Sequence, residues 1–231
     1  MIVGVDGCRA GWLCVAQEAG STAPIAWIAL TFLAVLERHP LASCIAVDIP
    51  IGLPGTGSRG CDVAAREIIK PRSSSVFPAP IRGVLHARSY DEANATHKAI
   101  SGKGMTKQSF AILPKIAEVD AALRGDPELR KVVFEVHPEV SFRVWGGAPM
   151  LFPKRSAEGE AIRAKLVEEQ WPGALDTCAG SLRRTGGWEE DDLIDAFAAL
   201  WTARRIVAGT ARTLPETPEV DGEGLPMRML A

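Results

Sequence analysis

The chain has 231 residues, 47% hydrophobic and 23% charged, with a formal net charge of −2. That length suits one large domain, or one domain with a sizeable insertion, and the composition excludes disordered and fibrous classes. The near-neutral balance argues against a generally basic protein that coats nucleic acid, while leaving room for a local basic surface.

The N-terminal run Met1-Ile2-Val3-Gly4-Val5-Asp6 lacks the basic flank of a signal peptide, and no apolar stretch reaches the roughly 18 residues of a membrane span. A cytoplasmic protein is expected. Strands are predicted at Ile2 to Asp6, Trp12 to Gln17 and Ile25 to Leu30, joined by short loops that imply an antiparallel meander. Thr31 caps a short helix through Leu36, Pro40 stops it, and Cys44 to Asp48 reads as a buried strand. The glycines and prolines after Asp48 mark an insertion, residues 52–128. From Arg59 to Lys115 it holds ten Lys or Arg against four acids. It contains the serine-rich, proline-bracketed segment Pro71 to Arg82 and a helix from Ser109 to Leu123, with Pro114 as a candidate bend. A strand from Lys131 to His137, a helix from Ala157 to Gln170 and a last helix from Glu189 to Val207 follow. Residues 1–210 thus read as one domain, and residues 211–231 as a poorly packed tail. The cysteines, Cys8, Cys14, Cys44, Cys61 and Cys178, form no C-x-x-C pair and suggest neither disulfides nor zinc.

Asp6 and Asp48 fall at or near the ends of strands expected at the sheet centre, where an unpaired carboxylate is costly and calls for a cation. Asp192 and Asp195, three residues apart, share a face of the last helix beside its apolar stripe. A lone strand-end aspartate is commonly a turn or cap residue, and Glu189 to Asp192 also suit the acidic first turn favoured by a helix dipole. Asp195, inside the helix between apolar neighbours, is harder to explain that way. Together these acids have the composition of a Mg²⁺ or Mn²⁺ site, since hard cations take oxygen ligands. Glu135 and His137 alternate on one strand face, with Glu139 just past Pro138, and stand as a further ligand or proton shuttle. A packed, hydrogen-bonded role suits His137 equally well.

The order β-β-β-α-β, then β-α and an acidic final helix, resembles the ribonuclease H-like superfamily. Asp192-Leu193-Ile194-Asp195-Ala196 is similar to the D-x-x-D-A signature of RuvC-type resolvases. Gly4 to Trp12, Val47 to Leu53, Ser74 to Pro80, Gln108, Lys115 to Asp120 and Glu135 to Glu139 resemble the family catalogued as domain of unknown function 429, from about Met1 to Ala208. The resemblance implies an α/β, RNase H-like fold: a mixed five-stranded sheet, its first three strands antiparallel, flanked by helices, with an inserted basic, partly helical subdomain. It further implies a metal-dependent nuclease. Asp6 and Asp48, with Asp195 or Asp192, would hold two Mg²⁺ or Mn²⁺ ions, Asp6 bridging them; Glu135 and His137 are secondary catalytic candidates from their place on the strand. Where many nucleases of the superfamily carry glutamate, this chain has Asp48, one methylene shorter.

For a nucleic-acid or nucleotide substrate, the candidate contacts are Arg9, Arg72, Ser74, Ser75, Arg82, Lys115, His137 and Glu139, because arginines and hydroxyls are common phosphate partners. The alternative is a non-catalytic nucleic-acid or nucleotide-binding module. Gly4-Val5-Asp6-Gly7 also resembles the phosphate hairpin of actin-like ATPases and sugar kinases, but those generally need two such domains, and no G-x-x-x-x-G-K-[ST] is present. Likeness to resolvases leaves a homodimer open.

Overall fold

The computed structural model describes residues 1–231. Strand β1 (Ile2–Cys8) pairs antiparallel with β2 (Gly11–Gln17), and β2 pairs antiparallel with β3 (Ile25–Ala29). The Thr31 hydroxyl accepts from the Ala34 N–H at 3.2 Å and starts helix α1 (Phe32–Arg38). Strands β4 (Cys44–Val47) and β5 (Val133–Glu135) then join parallel to β1, giving the order β3-β2-β1-β4-β5. This is the mixed, RNase H-like sheet that the sequence implied.

Alternation along the central strands sends their side chains to two different cores. Val3, Val5, Ile45 and Val47 pack against Phe32 and Val35 of α1 and against Ile116 and Val119 of the insertion. Cys44 and Ala46 face the other way, onto Ala199 and Ala203 of the last helix, α9 (Glu190–Val207). Glycine at position 4 is what lets α9 lie so close. A Cβ there would stand 2.2 Å from the Ala196 carbonyl oxygen and from the Leu200 nitrogen, atoms of backbone that cannot step aside. Packing of α9 on β1 therefore fixes the distance between the acids of the strand and those of the helix.

Between β4 and β5 the insertion carries α2 (Gly60–Ile68), α3 (Tyr90–Ser101), α4 (Lys107–Ala111) and α5 (Leu113–Gly125). The helix expected at Ser109 to Leu123 is two helices, because Pro114 has no N–H to continue α4 and suits the first turn of α5. Strand β5 is shorter than Lys131 to His137. A 3-10 turn, Pro127–Lys131, precedes it, and His137 already caps α6 (Pro138–Trp145). Helices α7 (Ala157–Gln170) and α8 (Ala174–Leu182) complete the α9 side.

Residues 211–231 correct the expectation of a loose tail. They form a hairpin of β6 (Thr213–Val220) and β7 (Pro226–Leu230). Leu214, Met227, Met229 and Ala231 are buried against Cys61, Ala65 and Ile69 beneath α2 and against Val140 of α6. The hairpin loop is tied down by Asp221, which accepts from the Leu53 N–H at 2.8 Å and from Arg82 at 2.5 Å. No helix is long and apolar enough to cross a membrane.

Candidate functional site

Three parallel strands end side by side. The Asp48 N–H donates to the Val5 carbonyl at 2.9 Å and the Val136 N–H to the Val47 carbonyl at 3.0 Å, so Asp6, Asp48 and the turn into α6 meet at the carboxyl edge of the sheet. That edge is where open α/β sheets place their ligands. Asp6 and Asp48 extend the alternation of Gly4 and Ala46 and so project toward α9, whose first turns bring Asp192 and Asp195. The result is a recess of roughly 500 Å³ lined by all four aspartates, Asp6 and Asp195 being only 7% and 3% exposed and Asp48 and Asp192 partly buried.

Burial and the charges of Asp48, Asp195 and Asp192 hold the Asp6 carboxyl well above the usual carboxylate range. Burial also raises Asp48, against the pull of His137 and Lys154, and pushes Asp195 up to about 7. Asp192 is raised by burial as well; one of its oxygens accepts from the Glu189 N–H at 2.9 Å and closes a capping box at the start of α9. Its capping role is thus real, and it coexists with a place in the recess. Four carboxyls lining one recess, each with raised affinity for protons, form a set short of positive charge. Lys154 supplies part of it, with Nζ 2.5 Å from Asp195 and 3.1 Å from Asp191. Burial pulls the Lys154 ammonium down, but Asp195, Asp6 and Asp191 more than reverse this and hold it above the ordinary lysine range. Arg155 adds a 3.2 Å pair with Asp191.

The donor chemistry, oxygen only and anionic in excess of its cations, fits a hard divalent ion. Asp6, Asp48 and Asp195, with the second oxygen of Asp192, are the residues that would hold it. The three groups that do bring ligand atoms within 4.8 Å of one another are a different set, Cys61, Asp62 and Glu135; the four aspartates line the recess without three of them meeting that closely. There the cation is already present. Arg59 donates to both Glu135 oxygens at 2.7 Å and to both Asp62 oxygens at 2.6 and 3.3 Å. Burial disfavours the Arg59 charge, yet Glu135 and Asp62 hold its pKa well above the ordinary value.

Glu135 pairs in register with Val47, whose side chain lies in the insertion-side core, so its carboxylate leaves the strand on the face opposite Asp6 and Asp48. It lines the recess from behind Arg59 and also accepts from the Ile51 N–H at 2.7 Å. His137 and Glu139 line the recess too. His137 accepts the Glu139 N–H on Nδ1 at 3.2 Å, which leaves Nε2 to carry the proton as a donor when the ring is neutral. Glu139 is gripped by Arg163, 2.8 Å from each oxygen.

Of the basic candidates, Arg72, Ser74, Ser75 and Lys115 stand on the wall. Arg72 donates to Ser75 Oγ at 3.2 Å, and its buried Nε has no hydrogen-bond partner. The Lys115 ammonium bonds the Gly11 carbonyl and sits 4.5 Å over the Trp12 ring, so much of its charge is already used. Arg9 and Arg82 lie elsewhere. Arg9 is exposed in the β1–β2 turn, and Arg82 is committed to Asp120 at 2.8 Å and Asp221 at 2.5 Å. Sequence reasoning missed Lys154 and Arg155 and treated Asp191 only as part of an acidic turn. Nothing in the order of residues links the loop before α7 to a helix 36 positions later.

Fold and site together define an RNase H-like α/β domain with an acidic recess at the carboxyl edge of its sheet. The chain belongs to the family described as Protein of unknown function (DUF429), which matches residues 4–220. No curated protein matches it, and no solved structure does.

Proposed function

We propose that this protein is a divalent-metal-dependent phosphodiesterase acting on nucleic acid or nucleotides in the cytoplasm. The observation that carries the reading is the convergence of Asp6, Asp48, Asp192 and Asp195 from three elements into one recess, Asp6 and Asp195 buried, Asp48 and Asp192 partly so, and the set short of cations. Mg²⁺ or Mn²⁺ bound there would supply Lewis-acid stabilisation of charge developing on a phosphoryl group and would acidify water. Asp6, Asp48, Asp195 and the free oxygen of Asp192 are the residues that would hold it. Arg72 with Ser74 and Ser75 binds the non-bridging phosphate oxygens, a task suited to a guanidinium fork and hydroxyls. His137, with its proton on Nε2, donates to a substrate oxygen. Lys154, paired with Asp195 and Asp191, would remain in the recess as a positive charge beside the phosphate. Five cysteines without a disulfide accord with the cytoplasmic location.

Lys154 also favours a second reading, a module that binds nucleic acid or nucleotides without turnover, because it already neutralises Asp195 and Asp191 with no metal. One experiment separates the two. Labelled single-stranded, duplex, hybrid and junction substrates are incubated with Mg²⁺ or Mn²⁺ and wild type or Asp6→Asn. Metal-dependent cutting by wild type, and its loss in a variant with unchanged circular dichroism, is the expected result. Equal cutting by the variant rejects the carboxylate site, and salt-sensitive binding with no cutting supports the module.

A further inference from the structure

We infer that the recess takes an unpaired nucleotide unit, its base stacked on Phe77 and its phosphate on Arg72. This rests on the proposed reading of the recess as a phosphodiester site and names the substrate class within it. Three independent features point the same way.

The first is depth. Asp6 and Asp195, 7% and 3% exposed, line a cavity of roughly 500 Å³, within the range of pockets that enclose a small molecule, so a ligand touches them only by entering it. A duplex is a convex cylinder with its phosphates on the outside, and such a surface rests on the rim of a recess instead of reaching its floor. A single nucleotide, or the end of an unpaired strand, enters.

The second is the state of Arg72. It is held on the Ser73–Ser75 turn by the bond from Nη2 to Ser75 Oγ, its Nε is buried 3.9 Å from a Glu139 oxygen, and its Nη1 makes no hydrogen bond to the protein. A positioned guanidinium with an unused donor is a seat for an anion.

The third is Phe77. It lines the recess and is 49% exposed, while Val76 before it is 1% exposed and packed in the core beneath α2. Val76 anchors the segment, and Pro78 restricts Phe77 to extended backbone, so the ring is held outward. The insertion's two other aromatics near the site in sequence are occupied: Tyr90 and Phe110 pair edge to face at 5.8 Å, and the Tyr90 hydroxyl donates to the Met105 carbonyl. An aromatic ring kept at the rim of a phosphate pocket, five residues from Arg72, is a platform for a base, since every base offers a π-face.

The test is equilibrium binding in Mg²⁺ by fluorescence anisotropy, with Asp6→Asn as the background to stop turnover. The probes are a single-stranded oligonucleotide, the same strand in a duplex, an abasic oligonucleotide and a mononucleotide diester. Phe77→Ala is expected to weaken the base-bearing single strand about tenfold or more, as loss of one stacked base does, and to leave the abasic strand unchanged. Phe77→Trp should restore binding, which a merely structural loss would not allow. Tight binding of the mononucleotide diester identifies a free nucleotide as the source, and tight binding of the oligomer alone an unpaired strand. Duplex bound as tightly as single strand, equal loss for base-bearing and abasic probes, or no binding of any probe overturns the inference. Its fate is separate from that of the hydrolytic reading: Phe77-dependent single-strand binding without cleavage by wild type removes only the hydrolysis, and equal cleavage of duplex and single strand removes only the inference.

Discussion

Lys154 is the residue on which the charge balance of the recess turns. Its ammonium is the cation nearest Asp195, and without it that buried carboxylate has only like-charged neighbours. Lys154→Met should cost about 1–3 kcal/mol, the range for stranding a buried polar partner, and toward the low end because Lys154 is itself more than a third exposed. If the aspartates bind a divalent ion, Mg²⁺ should raise the melting temperature of the variant more than that of wild type, because the ion no longer competes with a lysine. Thermal unfolding with Mg²⁺ or EDTA checks this, and an identical response in both proteins counts against a metal at these residues. Glu135 shows how far residue type alone can mislead. An acid near two others suggested a ligand, but strand register turned it to the opposite face, into the grip of Arg59.

At the scale of elements, α9 and the C-terminal hairpin carry the arrangement. Gly4→Ala places a methyl group 2.2 Å from the backbone of α9, so either β1 or the helix must shift. We expect a loss of about 3 kcal/mol or more in urea unfolding, the upper range for overpacking, together with loss of the acidic site. Asp221→Ala should cost about 3 kcal/mol, because it leaves Arg82 and the Leu53 N–H without their acceptor while the hairpin loses its loop anchor. Unfolding within 0.5 kcal/mol of wild type would show that the apolar face of β7 holds the hairpin by itself. Several elements that went unread had signals in plain view. Ser89 and Glu92 form an S-x-x-E start for α3, with the Ser89 hydroxyl accepting the Glu92 N–H at 3.2 Å, and Pro138 sits in the first turn of α6. The hairpin was masked by its Pro, Glu and Gly content, whereas Met227 and Met229 alternate as a half-buried strand requires.

Over the whole molecule the aspartates of the recess give an unusual pH dependence. Burial raises Asp6, Asp48, Asp192 and Asp195, so each holds its proton more tightly folded than unfolded. The stability this contributes is complete below the unfolded value near 4 and is lost as pH rises through the folded values, about 7 for Asp195. Asp191 and Asp221, where Lys154, Arg155, Arg82 and backbone N–H groups outweigh the effect of burial, are lowered and act with opposite sign only at more acid pH. Urea unfolding in EDTA should therefore show stability falling from pH 5 to pH 8, with Mg²⁺ restoring it at the alkaline end. A rise over that interval in EDTA would mean that the aspartates are ionised and satisfied without a metal. The basic excess of the insertion also looks different in three dimensions. Arg59 and Arg82 spend their charge on Glu135, Asp120 and Asp221, acids outside the counted segment, so less of the excess faces a ligand than the sequence suggested.

The sequence by itself determined the order of the five sheet strands with α1, α7 and α9, the strand-end positions of Asp6 and Asp48, and the acidic face of α9. These follow from short-range periodicity and from acids standing where apolar residues belong, which any chain of this pattern must resolve in one way. Only the tertiary structure decided which charges are spent and which are left. Lys154 reaches Asp195 across 41 positions, Arg59 reaches Glu135 across 76, and Arg82 reaches Asp221 across 139. Such pairings are set by which surfaces pack, and the packing in turn depends on details such as the missing Cβ of Gly4, which has no periodic signature. The same holds for Phe77: its ring stands at the rim because Val76 is buried under α2, in a core that the C-terminal hairpin shares.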